Sequence, residues 1–234
     1  MNENRIKILQ KGIKKSGPVI YWMSRDQRLN DNWALIYAQQ IATESKKPLA
    51  VIFNLVPDFL EATIRQYGFM LKGLQEVEEN LRKKNIPFFL LEGNPSETVP
   101  KFLSETNASV LVTDFDPLKI KISWKTKVSE KIDIPFYEVD AHNIVPCRYV
   151  SIKTEFAAHT IRPKIHKHLP EFLDEIPSIK KMKKSSALTS ERINWDKVKK
   201  SLTVNRDVKE STSRIIVRYK TSCACKGEIG CDRP

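Results

Sequence analysis

Ser24, Arg25, Asp26 and Arg28 stand directly behind the apolar run at residues 18–23. Arginine presents a planar fork of donors to phosphate or carbonyl groups, so Ser24 and Arg25 suit a flavin-like ring or its polar tail. The competing reading is a local ion pair between Arg25 and Asp26 that fixes the loop. Met23 reads as core, although its polarizable sulfur could line a chromophore. Asp114 and Asp116 have the spacing of paired carboxylates, which shift each other's ionisation in metal or acid–base sites. Asp116-Pro117, however, is a helix-start signal and no histidine lies near it in sequence, so a structural role is preferred there. Asp140, His142 and Asn143 form a third polar group, suited equally to a ligand contact and to a turn.

These groups follow short apolar segments that alternate with helical patterns. Residues 18–23, 49–53, 87–91, 109–113 and 135–139 are nearly continuous apolar runs, as expected of strands buried on both faces. Asn30-Asp31-Asn32 offers N-caps for a helix carrying Trp33, Ile36, Tyr37, Gln40 and Ile41. Further helices are expected over 59–85, 95–106 and 118–131, with Gly68 and Gly73 marking close packing in the first of these. The alternation specifies an α/β fold with a doubly wound parallel sheet over residues 18–146, and such sheets bind ligands beyond the carboxyl ends of their strands. Residues 1–17 read as a basic N-terminal extension and 147–210 as a partly helical connector, broken at Arg162-Pro163 and Leu169-Pro170. Residues 211–234 form a divergent tail without periodicity.

The formal net charge of +12 makes polyanions, nucleic acid first, the partners to consider. Solvated basic flanks with no specific partner explain the same charge. Lys180-Lys181-Met182-Lys183-Lys184 has no interleaved aromatics and reads as part of an exposed basic loop over 178–190. The chain has seven glycines and neither a glycine-rich dinucleotide loop nor a Gly-Lys-Ser/Thr phosphate loop. No segment resembles a signal peptide or a membrane span, and a soluble, cytoplasmic protein is expected. Cys223, Cys225 and Cys231 lack a fourth zinc ligand, so no metal site is assigned.

Tyr21-Trp22-Met23-Ser24-Arg25-Asp26-Gln27-Arg28, followed by Asp31-Asn32-Trp33-Ala34-Leu35, resembles the opening of the class II cyclobutane-pyrimidine-dimer photolyases. The likeness continues through Arg65-Gln66-Tyr67-Gly68-Phe69-Met70-Leu71-Lys72-Gly73-Leu74 and Val112-Thr113-Asp114-Phe115-Asp116-Pro117-Leu118. It extends over Val139-Asp140-Ala141-His142-Asn143-Ile144-Val145-Pro146 and Ala157-Ala158-His159-Thr160-Ile161-Arg162-Pro163-Lys164-Ile165. The resemblance implies a Rossmann-like antenna domain that holds a light-harvesting deazaflavin or FMN and passes excitation to a catalytic FAD, in light-driven repair of pyrimidine dimers in DNA. It offers Met23, Ser24, Arg25, Asp114, Phe115, Asp140 and Asn143 as chromophore-binding residues. In this family the FAD and the dimer cavity belong to a helical C-terminal domain. This chain is therefore expected to bind no FAD, to carry no catalytic residue, and to be inactive alone. The implied partners are DNA, held weakly if at all, and a separate flavin-domain polypeptide against an apolar face of the connector. Arg148 departs from the family, which has an aromatic there, and after Glu210 the likeness stops as though the reading frame had changed. Two rival readings are an autonomous flavin- or nucleotide-binding module and a non-specific nucleic-acid binder.

Overall fold

β2 (Val19–Met23) is buried along its whole length and its side chains alternate between two cores. Val19, Tyr21 and Met23 face one, Ile20 and Trp22 the other, as the two-residue period of a strand requires. A computed structural model describes residues 1–153, 155–185 and 188–207. In it β2 pairs in parallel with β3 (Leu49–Leu55) on one side and with β5 (Val110–Asp114) on the other. β4 (Phe88–Glu92) continues the sheet beyond β3, and β6 (Phe136–Val139) lies beyond β5.

The connecting helices are α1 (Trp33–Glu44), α2 (Ile64–Lys83), α3 (Pro95–Glu105) and α4 (Lys119–Ser129). Residues of α1 and α2 pack in the first core, those of α3 and α4 in the second. Helices on both faces make the sheet doubly wound, with its switch point between β2 and β5. Asn32 caps α1 by accepting from Leu35 N at 3.0 Å. α2 starts at Ile64, later than the spacing predicts. Asp58, Leu60 and Glu61 hold left-handed φ of 60°, 49° and 57°, which no helix tolerates, and Thr63 and Gln66 form a capping box behind them.

The sheet is not wholly parallel. β1 (Ile6–Gln10), from the stretch read as a basic extension, pairs antiparallel with β6 and forms the sheet edge. Its interspersed lysine hides the apolar pattern, and an exposed Lys7 on an edge strand discourages pairing with other chains.

The connector contributes α5 (Cys147–Val150), α6 (Ala158–Phe172) and α7 (Trp195–Ser201). Neither Pro163 nor Pro170 breaks α6. Ile161, Ile165, Leu169 and Phe172 pack on Val145 and Val150, and this burial outweighs the helix hydrogen bonds that the two prolines delete. Residues 179–182 of the basic stretch pack on the body of the protein rather than forming a wholly exposed loop. The lysine side chains lie in solvent, but Ile179 is buried in the first core and Lys180 N and O pair with the Gln39 side chain at 2.8 and 2.7 Å. Among the described residues no helix is long and apolar enough to cross a membrane. The tail cysteines and the change after Glu210 lie outside the described residues.

Candidate functional site

Asp114 ends β5 and is fully buried. Its carboxylate accepts from the backbone N–H groups of Ser24, Arg25 and Asp26 at 3.0–3.1 Å and from the Tyr21 hydroxyl at 3.0 Å. Burial pushes its pKa up against the pull of these amides, and burial together with the Asp114 charge pushes the Tyr21 phenol well up. Asn32 closes the network, donating to Tyr21 Oη at 3.1 Å and to the carbonyls of Asp26 and Arg28. One carboxylate thus fixes the whole loop from Ser24 to Arg28.

That loop forms one wall of a cavity of about 640 Å³ beyond the carboxyl ends of β2 and β3. Phe59, Tyr67, Phe69 and Met70 supply its apolar surface, and Phe69 is 73% exposed. Tyr67 donates to the Val56 carbonyl at 2.5 Å and accepts from Phe59 N, pinning the left-handed loop against α2. Gly73, one helical turn beyond Phe69, faces the cavity, and a Cβ built there would meet nothing within 4 Å. It marks an open wall rather than close packing. The polar rim consists of Arg25, Asp26, Arg28, Asn54, Lys121 and His142.

Asp26 Oδ1 pairs with Arg28 Nη2 at 3.2 Å and stands 3.6 Å from His142 Nδ1. The loop's ion pair therefore joins Asp26 to Arg28, not to Arg25. Asp26 Oδ2 is buried with no hydrogen-bond partner. Lys121 Nζ donates to Ser24 Oγ at 3.2 Å and lies 5.0 Å from the ring centres of both Phe59 and Trp124. Burial lowers its pKa.

Of the residues expected at a chromophore, Arg25 alone lines this cavity. Met23 is wholly core and Ser24 acts through Lys121, while Asp114 shapes the loop from beneath. Asp140 and Asn143 belong to a separate turn, where the buried Asp140 carboxylate accepts from Asn143 N, Asn143 Nδ2 and Cys147 N at 3.0–3.1 Å. Phe115 lies under two cations, Arg148 at 5.5 Å and Lys125 at 5.9 Å. Those cations hold the two oxygens of buried Glu138, Arg148 at 2.7 Å. The departure at Arg148 is thereby accommodated as an ion pair between connector and sheet. Lys121, Phe59, Tyr67 and Gly73 were not singled out from sequence for this site. The four-residue interval from Phe69 to Gly73, which puts both on one helix face, is the signal that could have marked the open wall.

The structure is a doubly wound α/β sheet with an aromatic-walled cavity and polar rim beyond the carboxyl ends of its strands, the place where sheets of this class bind their ligands. The DNA photolyase family profile matches residues 19–181. The deoxyribodipyrimidine photo-lyase of Potorous tridactylus is 44% identical over 214 residues, covering 89% of this chain and 40% of the relative. That of Arabidopsis thaliana is 47% identical over 201 residues, covering 82% and 40%. The chain spans about 40% of the length of these relatives. The crystal structure of an archaeal photolyase from Sulfolobus tokodaii, described with two FAD molecules and as implicating a novel light-harvesting cofactor, superposes with a TM-score of 0.58. At 20% identity it covers 69% of this chain and 37% of its own, and supports the fold. The chain belongs to the DNA photolyase family.

Proposed function

We propose that this chain is the light-harvesting module of a deoxyribodipyrimidine photolyase and that the cavity behind the loop at 24–28 holds its antenna chromophore, a deazaflavin or FMN. The observation that carries this reading is the cavity itself. Its volume suits a tricyclic ring, its walls are aromatic, Gly73 leaves room, and the buried Asp26 Oδ2 lacks a donor. Phe59, Tyr67, Phe69 and Met70 would contact the ring, while Arg25, Asp26, Asn54 and Lys121 would meet its polar edge or tail. When bound, such a group supplies visible absorption and energy transfer. This chain's residues bind and orient it and exclude water. Splitting of dimers is assigned to a flavin-bearing helical domain seated on the exposed apolar side of the connector, where Ile152 and Phe156 are almost entirely exposed.

The test is Gly73→Leu, which fills the open wall. The wild-type protein should bind FMN or a deazaflavin with micromolar or better affinity. The variant should lose at least about tenfold in affinity while its melting temperature stays level or rises, since leucine has a helix propensity about 0.8 kcal/mol better than glycine. A wild-type protein that takes up neither compound overturns the assignment, as does a variant that binds unchanged.

A further inference from the structure

The cavity's charges are unevenly committed. Asp26 is engaged by Arg28 and lies near His142, and Asp114 is saturated by amides and a phenol. Among the described residues neither Lys121 nor Arg25 has a carboxylate within ion-pair distance, and Lys121 donates a single hydrogen bond, to Ser24.

The placement of Lys121 is unfavourable to the empty protein. It occupies the first turn of α4, a turn with no acidic residue of its own, so the positive end of the helix dipole opposes its charge, offset in part by Asp116, which accepts from Leu118 N at 3.0 Å. Phe59 and Trp124 cover it at 5.0 Å each, giving cation–π attraction while removing water. The titratable groups that face it are Asp116 and Asp114 from the end of β5, which favour its charge, and Lys125 one turn along α4, which opposes it. Burial is the largest influence and opposes it too. An ammonium with unused donors, partly stripped of water and turned toward an apolar cavity, attracts a negative group strongly.

We infer that Lys121, assisted by Arg25, is the specificity-determining residue that makes this cavity select aromatic ligands carrying an anionic group over neutral ones of the same ring. The inference rests on the chromophore-site reading. It adds a charge requirement and a release condition, because affinity for the anion follows protonation of Lys121. Loss of the proton as pH rises removes the attraction and leaves the ring contacts intact. The change falls below the ordinary lysine range, given the direction in which burial moves this group.

The test compares FMN, whose phosphate is close to dianionic above about pH 7, with riboflavin, the same ring without that charge. Fluorescence titration should give FMN at least about tenfold tighter binding at neutral pH. The preference should decay as pH rises from neutral into the alkaline range, before an ordinary exposed lysine would lose its proton. Lys121→Met retains an unbranched apolar stem between Phe59 and Trp124. It should weaken FMN by far more than riboflavin, bringing the two affinities together in a protein that remains folded, and abolish the pH dependence. Lys121→Arg should restore the preference without its decay at high pH. Equal binding of the two flavins by the wild type overturns the inference while leaving the chromophore site standing. The same holds if the methionine variant keeps the preference, or if it weakens both flavins equally in a normally folded protein. Binding of neither flavin by the wild type overturns both readings.

Discussion

At the scale of single residues, the role of Asp114 is set by what surrounds it rather than by its type. Three converging amides and a phenol make it a scaffold for the loop that walls the cavity. Asp114→Asn replaces one acceptor oxygen by a donor that faces other donors. We expect a loss of about 2–4 kcal/mol in urea denaturation and weaker chromophore binding; a change under about 0.5 kcal/mol would show that the network is not structural. Glu155 provides a test against pH. Its bonds to Lys164 and Ser151 lower its pKa from the ordinary 4.5 to about 2. The folded value lies below the unfolded one. The interaction is therefore fully present above about pH 4.5 and is lost as pH falls through about 2. Carboxyl chemical shifts should report a midpoint near 2 in the wild type and a clearly higher one in Lys164→Ala. A wild-type midpoint near 4.5 would refute the bond.

Among the elements, β1 and the connector were the hardest to read from sequence, and one side chain joins them. Arg5 is buried, donates to the carbonyls of Asp140, Asn143, Ile144 and Phe172, and lies 5.1 and 5.3 Å from the rings of Trp33 and Phe172. It ties the edge strand, the turn after β6 and α6 to the body of the sheet. Arg5→Ala leaves those carbonyls without a donor and should destabilise the protein by about 2–4 kcal/mol. The region at 147–173 should become an early site of limited proteolysis; unchanged cleavage would mean that α6 is held by its apolar contacts alone. Such a residue was invisible in advance because its partners lie 135 to 167 positions away.

For the whole molecule the formal net charge is +12, and among the described residues Lys180, Lys181, Lys183 and Lys184 carry part of it as exposed side chains with no interleaved aromatic. DNA binding by the isolated chain should accordingly be weak and electrostatic. We expect affinity to fall about tenfold or more between about 50 and about 200 mM salt, with no preference for ultraviolet-damaged over intact DNA in a gel-shift or anisotropy assay. Damage-selective binding would contradict the division of labour proposed here.

The five parallel strands, their four helices and the Asn32 cap were all legible in sequence, because continuous apolar runs and capping residues act over a few neighbours. The likeness at 21–28 also pointed correctly to the family. The cavity's walls were another matter. Phe59, Tyr67, Gly73 and Lys121 come from a left-handed loop and two helices, and they meet only because β3 and β5 flank β2 in the sheet. The roles of Asp114, Asp140 and Asn143 turned on where their hydrogen bonds go, which local sequence does not encode. The residues by themselves established the fold and the family; tertiary packing decided which polar groups are committed to the protein and which line the cavity. Partner identity depends on chain crossings and burial, and these arise only when the sheet is assembled.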